Sequence, residues 1–278
     1  MRRLKRLLAA IVLAFPRTSR SLRSILIAIS AAALLGACTS EASSPEPSSS
    51  ASRAQTWDLV WFSDSSGNFV ADLWASRIED TQGVDVTVHH FEGPGVIGSA
   101  SFIVDLLEVT EVENAIKQAE VIGLYTNPAR TPAGDDDACP FLTATAADPP
   151  EVYSKEDFVE YRDFLREIYG RIFELRAGEP VIIRAMDLPV PILVQWRDRG
   201  IERECTAIWE AWTGVAREVA AEYGVPMASM YDAFNGPAHD EDPGEKGYIG
   251  ADGLHPSPKG NAAQVDVLDA LGYEPVEP

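Results

Sequence analysis

Apolar residues follow two repeating patterns between Thr56 and the C-terminus. Short and nearly continuous apolar runs are typical of strands buried in a parallel sheet, and apolar residues three or four apart are typical of helices packed on it. The predicted strands are Trp57–Phe62, Val84–His90, Val121–Tyr125, Val181–Ala185 and Val225–Met230. The predicted helices are Asn68–Glu79 (apolar at Phe69, Leu73, Trp74 and Ile78), Phe102–Glu108, Val112–Gln118, Tyr153–Leu175, Arg203–Tyr223 and a last one from Pro258 to about Leu271.

The alternation of strands and helices predicts a single α/β domain over residues 56–278, in which helices cover both faces of a parallel sheet. Ligands of such sheets bind in the crevice beyond the carboxyl ends of the strands. Two long irregular stretches, Pro128–Val152 and Tyr231–Asp252, follow the third and fifth predicted strands. We therefore expect both stretches to border the same crevice.

The first 37 residues have the pattern of an export signal. Two apolar runs, Leu7–Phe15 and Ile25–Ala37, are both shorter than the roughly 20 residues of a spanning helix. The second run follows basic residues and ends in small ones, which predicts a signal peptide over residues 1–37. A signal peptide needs only one apolar run, so the first run is not required. It fits either a start codon set too far upstream or a long basic region before the second run.

The end of the second run, Leu-Gly-Ala before Cys38, resembles a bacterial lipobox. This resemblance implies cleavage before Cys38 and a lipid on its sulfur; an ordinary secretory signal with an incidental cysteine is the alternative. Residues 38–55 are rich in Ser, Ala, Pro and Glu, a composition typical of a disordered tether. We expect an exported protein, anchored in the cell membrane through Cys38 with its domain on the extracytoplasmic side.

Composition and charge exclude several classes of partner. The 278 residues are 46% hydrophobic, as expected of a folded chain, and carry 23 Lys+Arg against 43 Asp+Glu. Residues 1–37 hold seven of the basic residues and no acid, so the rest of the chain has a net charge of −27. Such a field repels nucleic acids and anionic membrane surfaces, so attachment to a membrane requires an anchor.

Cys139 and Cys205 are the remaining cysteines. Two cysteines in an exported domain predict one disulfide, and two buried thiols are the alternative.

Two sequence blocks at the ends of the predicted sheet carry groups suited to nucleophilic catalysis. The block Ser63-Asp64-Ser65-Ser66-Gly67 places hydroxyls at a helix N-terminus, where free N–H groups stabilise an oxyanion. The same residue types also serve as plain helix caps and turn formers. Near the C-terminus, Asp252 precedes His255 by three residues in a turn stiffened by Pro256, so the carboxylate could orient the imidazole as a general base.

Other polar residues gave weaker signals. Asn127, at the end of the third strand, could donate to the same oxyanion or close the strand as part of an Asn-Pro turn. We interpret His89 and His90 as structural or substrate-rim groups and His239 as a solvated loop residue. The acidic run 135–137 lacks the ligand spacing and the glycine of a calcium loop, so we expect it to be solvated and not a metal site.

Together the blocks resemble the SGNH hydrolases, also called GDSL-like esterases and lipases. The resemblance covers about residues 57–272 and implies a flavodoxin-like three-layer fold with a five-stranded parallel sheet in the order 2-1-3-4-5, without a metal or other cofactor. It makes Ser65 the nucleophile, His255 the base and Asp252 its partner. The oxyanion donors are then the Ser65 N–H, Asn127 and a glycine, for which Gly98 fits best and Gly95 is the alternative. Ser63 and Pro128 depart from the residues usual in this family.

The resemblance implies a hydrolase that acts on a carboxylic ester of a lipid, a small molecule or an acetylated sugar, and we expect it to be a monomer. A ligand-binding surface lipoprotein of the same fold with weak or no activity is the alternative, favoured by the departures at Ser63 and Pro128. A purely structural surface protein would leave Ser65, Asp252 and His255 unexplained.

Overall fold

The computed structural model describes residues 55–92, 100–127, 132, 139 and 145–277. The strands are β1 (Thr56–Ser63), β2 (Asp85–Glu92), β3 (Val121–Tyr125), β4 (Ile182–Met186) and β5 (Met227–Ala228). The helices are α1 (Val70–Gln82), α2 (Ala100–Leu106), α3 (Thr110–Gln118), α4 (Val159–Arg176), α5 (Leu193–Arg199), α6 (Glu202–Glu222), α7 (Met230–Asn235) and α8 (Pro258–Ala270). Outside the described residues lie the predicted leader, Cys38, the predicted linker except Gln55, Gly95, Gly98 and the acidic run 135–137.

The five strands form one parallel sheet in the order β2-β1-β3-β4-β5, which confirms the predicted fold class and strand order. Both faces of the sheet are buried. Along β1, Val60 and Phe62 belong to the larger core under α2, α3, α4 and α6, whereas Leu59 and Trp61 belong to the smaller core under α1 and α8. This two-sided burial explains why the central strands are almost continuously apolar.

The C-terminal part of the sheet differs from the prediction. The last strand is two residues long, not Val225–Met230, because Ser229 already caps α7 by accepting a hydrogen bond from the N–H of Asp232. Helix α7 therefore occupies the start of a stretch expected to be irregular, and α5 was also missed. Both helices are too short, at six and seven residues, to show an amphipathic repeat.

The core-facing stripe of α1 also differs from the prediction. The helix begins at Val70, and Val70, Trp74 and Ile78 face the core at a spacing of four residues. The other two predicted core residues, Phe69 and Leu73, are 68% and 44% exposed. A stripe centred on Trp74 leaves them on the outer surface of the helix.

A disulfide joins Cys139 to Cys205 on α6, which confirms the predicted pairing. The carbonyl of Cys139 also accepts a hydrogen bond from the indole N–H of the buried Trp196, at 2.6 Å. The segment after β3 is thus attached to α5 and α6 at this residue.

Among the described residues, no helix combines the length and the apolar character that crossing a membrane demands.

Candidate active site

The nucleophile candidate lies in a tight turn at the carboxyl end of β1. Residues Ser65–Gly67 form a single 3₁₀ turn, capped by the Asp64 carboxylate, which accepts a hydrogen bond from the Ser66 N–H at 2.8 Å. The turn folds back closely on β1: a Cβ at Gly67 would lie 2.5 Å from the Cβ of Ser63. Only glycine fits there without movement. Ser65 is exposed at the start of this turn.

The imidazole candidate lies in the loop that leads into α8. The bridge between Ile249 and Pro256 and a hydrogen bond from the Gly250 N–H to the His255 carbonyl (2.8 Å) close this loop. Ser257 caps α8 by accepting from the Gly260 N–H, with proline at the first helical position, as the sequence predicts. His255 therefore projects from a short loop that these two backbone contacts hold closed.

Ser65, His255 and Asp252 form a continuous hydrogen-bonded chain. The distance from Ser65 Oγ to His255 Nε2 is 2.9 Å, and that from His255 Nδ1 to Asp252 Oδ2 is 2.8 Å. An ionised carboxylate can only accept, so Nδ1 carries a proton and Nε2 of the neutral ring is free to accept from the serine hydroxyl. The structure brings together the three residues for which the sequence predicts this relationship.

The environment of Asp252 keeps it ionised. Its Oδ1 accepts hydrogen bonds from the backbone N–H groups of Leu254 and His255, both at 3.0 Å. The Leu254 N–H, followed by the His255 ring and the His255 N–H, lowers the pKa of Asp252 from 3.8 to about 2. A carboxylate held in this state fixes the orientation and tautomer of the imidazole at neutral pH.

Asn127 lies beside the same turn, but its amide has a partner that the sequence did not suggest. Its Nδ2 donates a hydrogen bond to Asp64 Oδ2 at 2.9 Å. Its backbone carbonyl accepts from the N–H of Ala100, so the end of β3 is joined to the start of α2. Burial raises the pKa of Asp64, and the Ser66 N–H and the Asn127 amide partly offset this effect.

No protein-family model and no curated protein matches the chain. Solved structures do. The crystal structure of the lipase Lip_vut3, from a goat rumen metagenome, matches with a TM-score of 0.56 and 18% sequence identity, over 80% of this chain and 100% of that one. The chain shares its fold with this lipase.

Two further matches are more distant. A protein from Slackia heliotrinireducens proposed to be an SGNH hydrolase has a TM-score of 0.48 and 14% identity, over 78% of this chain and 98% of its own. TesA has a TM-score of 0.44 and 17% identity, over 78% of this chain and 96% of its own. Only the match to the lipase is similar enough to establish the fold, and at 18% identity it establishes nothing about chemistry.

The remaining histidines have defined partners. Ser63 Oγ lies 3.1 Å from His90 Nε2, and His89 Nε2 lies 2.8 Å from Asp58 Oδ1, so both histidines connect β1 to β2. The interpretation of His239 as solvated was wrong. Its side chain is only 18% exposed, contacts the Asp232 carboxylate at 2.7 Å and stacks on Tyr231, because α7 brings these residues together.

The part of the chain that the structure describes contains no group of three or more His, Cys, Asp or Glu side chains arranged to hold a metal ion. The acidic run 135–137 lies outside that part.

Proposed function

We propose that this protein is a serine hydrolase of the SGNH type that cleaves carboxylic esters through a covalent acyl-enzyme. The observation that carries the proposal is the chain of hydrogen bonds from Ser65 Oγ through the His255 ring to the Asp252 carboxylate. The order of these groups, nucleophile, base and orienting acid, is the one that activates a serine hydroxyl. The fold shared with a lipase is compatible with this chemistry.

In the first half of the proposed reaction, Ser65 Oγ attacks the ester carbonyl while His255 Nε2 takes the hydroxyl proton. Asp252 stabilises the imidazolium that forms, because its carboxylate stays ionised and bonded to Nδ1. The tetrahedral intermediate then collapses as Nε2 gives its proton to the leaving alcohol. The products of this step are the free alcohol and an acyl ester on Ser65.

The tetrahedral intermediate carries a negative charge on the former carbonyl oxygen, and hydrogen-bond donors near Ser65 must stabilise it. We propose the backbone N–H of Ser65, the second Nδ2 proton of Asn127 and the N–H of Gly98, with Gly95 as the alternative glycine. Asn127 supports this role because one amide proton is committed to Asp64, which holds the side chain at the edge of the nucleophile turn. Each such donor typically contributes a factor of about 10²–10³ to turnover.

In the second half, a water molecule replaces the alcohol. His255 Nε2 removes a proton from this water as it attacks the acyl carbonyl, and then returns the proton to Ser65 Oγ as the acid leaves. Every proton in this scheme moves through one nitrogen. No cofactor takes part.

We also propose that the domain acts outside the cytoplasm. Residues 1–37 would direct export, a lipid on Cys38 would hold the chain in the membrane, and residues 38–55 would separate the domain from the bilayer. We also propose that the protein is a monomer and that its substrate is an ester of a lipid, a small molecule or a glycan. Metabolic labelling of Cys38 with a fatty-acid analogue tests the anchor, and Cys38→Ser should abolish the label.

Covalent labelling tests the catalytic proposal most directly. A fluorophosphonate probe should label the domain at Ser65, as located by mass spectrometry, and Ser65→Ala should lose both the label and the hydrolysis of p-nitrophenyl acetate. Ser66→Ala is the matched control, because the backbone N–H that donates to Asp64 survives the substitution. If Ser65→Ala hydrolyses the ester as fast as the unsubstituted domain, the hydrolase proposal is wrong and a binding protein of the same fold takes its place.

A further inference from the structure

Two large apolar side chains are exposed immediately after the nucleophile turn. Phe69, four residues after Ser65, is 68% exposed, and Leu73, one helical turn further, is 44% exposed. Residues four apart lie on the same side of a helix, so the two side chains are neighbours on the outer surface at the start of α1. We refer to Phe69 and Leu73 as the apolar shelf.

The apolar shelf lies on the same side of the molecule as His255. Arg77 of α1 donates hydrogen bonds to Asp266 at 2.9 Å and Asp269 at 3.1 Å, both on α8. Each helix begins at the carboxyl edge of the sheet, α1 just after the Ser65 turn and α8 three residues after His255. Leu73 and Phe69 precede Arg77 by one and two turns, so they lie toward the starts of both helices and hence toward the Ser65–His255 pair.

No structural role in this part of the fold explains why the shelf residues are apolar. The core-facing side of α1 is already formed by Val70, Trp74 and Ile78. Phe69 occupies the N-cap position and makes no side-chain cap bond, although serine or aspartate there would stabilise the helix. An adjacent pair of exposed apolar side chains close to the proposed nucleophile offers surface on which an apolar part of a substrate can be buried.

The charges around the shelf restrict what that ligand can be. Asp72, three residues after Phe69 and adjacent to Leu73 in sequence, is exposed, and the ionised Asp252 contacts His255. Residues 38–278 as a whole carry a net charge of −27. A substrate with a carboxylate or phosphate close to its ester would be repelled, whereas an uncharged hydrocarbon chain would not.

We propose that the apolar shelf binds the hydrocarbon chain of the substrate, so that the enzyme prefers uncharged esters with an acyl or alkyl chain of several carbons over acetylated sugars. This inference rests on the proposed ester hydrolysis at Ser65. The shelf would bury successive methylene groups as the chain lengthens, and each would increase the rate at low substrate concentration. A fully buried methylene corresponds to roughly a fourfold gain, and on an open shelf we expect about twofold.

The kinetic test compares p-nitrophenyl acetate, butyrate and hexanoate. For the unsubstituted domain, kcat/KM should rise about fourfold for each added pair of methylenes. In the double variant Phe69→Ser, Leu73→Gln, the ratio of hexanoate to acetate should fall to near one. Val109→Ser is the matched control: Val109 is also an exposed apolar N-cap without a side-chain cap bond, on α3 over the opposite face of the sheet, and its replacement should leave the ratio unchanged.

Two outcomes would overturn the inference while leaving the proposed function intact. These are a chain-length ratio that is the same in the shelf variant and in the unsubstituted domain, or a preference of the unsubstituted domain for an acetylated sugar over the hexanoate. Calorimetric binding of 1-octanol to Ser65→Ala tests the shelf without catalysis. Ser65→Ala should bind 1-octanol more tightly than ethanol, and the addition of both shelf substitutions should remove this difference. That result supports the shelf even if no ester is hydrolysed. Equal binding of the two alcohols to Ser65→Ala contradicts it.

Discussion

The Asp64 carboxylate accepts a hydrogen bond from the side-chain amide of Asn127 at 2.9 Å, although 63 positions separate the two residues in the chain. The same carboxylate caps the Ser65 turn through the Ser66 N–H. Asp64 therefore connects the turn that holds the proposed nucleophile with the side chain proposed to bind the oxyanion. We expect Asp64 to act as a positioning residue, because it holds these two neighbours and has no assigned step in the proposed reaction.

We expect Asp64→Asn to reduce turnover by about ten- to a hundredfold, less than the complete loss of an oxyanion donor in Asn127→Ala. The new amide can still accept from Ser66, but its NH₂ group faces the NH₂ group of Asn127, and two donors cannot bond. Because only the transition state is affected, kcat should fall with little change in KM. Steady-state kinetics of Asp64→Asn, Asn127→Ala and the double variant measure this. Additive losses would contradict the assignment, since a residue acting through Asn127 should add little once Asn127 is gone.

Asp252→Asn should lower kcat by up to about 10⁴-fold, because an amide in place of the carboxylate allows the imidazole to turn its proton toward Ser65. The pKa of Asp252, about 2, implies that an acid limb at higher pH in the unsubstituted profile does not come from this carboxylate. Profiles of kcat/KM against pH check both statements.

The lowered pKa of Asp252 also affects stability in a defined pH range. A carboxyl group whose pKa is lower in the folded than in the unfolded state stabilises the fold above its ordinary pKa, here 3.8, and this contribution is lost as the pH falls to about 2. Thermal unfolding of the unsubstituted domain and of Asp252→Asn should therefore differ most above pH 4 and converge toward pH 2. A difference that grows on acidification would show that the sign is wrong.

Gly67→Ala should destabilise the domain by about 1–3 kcal/mol, because the new Cβ would lie 2.5 Å from the Cβ and 2.9 Å from the Oγ of Ser63. Ser63→Gly removes both of these atoms, and the next neighbour, the indole nitrogen of Trp61, lies at an acceptable 3.4 Å. The double variant should therefore be more stable than the sum of the two single changes predicts. Urea unfolding of the four proteins gives this coupling. A coupling near zero would mean that the turn avoids Ser63 by moving.

Reduction of the disulfide should cost about 2–4 kcal/mol of unfolding free energy, since Cys139 and Cys205 are 66 positions apart and close a long loop. The hydrogen bond from Trp196 to the Cys139 carbonyl does not depend on the sulfurs, so we expect the folded state to persist. Denaturant unfolding with and without a reductant measures the loss. The unfolding free energy of Cys205→Ser should be the same with and without the reductant. An effect of the reductant on Cys205→Ser would show that the disulfide is not its target.

The prediction from sequence was most successful where one kind of interaction dominates. The central strands are buried on both faces, so their apolar runs were visible in the sequence, and β3 has the predicted bounds Val121–Tyr125. The Ser257-Pro258 start of α8 depends on local capping and was also correct. The local spacing of Asp252 and His255 indicated an oriented imidazole, and the resemblance to the SGNH hydrolases added Ser65 as its partner.

The failed predictions concern features that no apolar repeat in the sequence reveals. Helices α5 and α7 are too short to carry a repeat. The choice between Phe69 and Trp74 as the core residue of α1 depends on where the helix begins relative to the sheet. The partial burial of His239 depends on the position of α7.

The sequence by itself determined the α/β class and, through a family resemblance, the strand order and the three residues proposed as nucleophile, base and orienting acid. Only the tertiary structure decided that Ser65 and His255, 190 positions apart, approach to 2.9 Å, that Asp64 holds Asn127, and that Phe69 faces solvent beside them. The physical reason is that apolar periodicity and capping are local properties of the chain. Distances between residues on different strands arise only when the parallel sheet brings the ends of those strands to one edge.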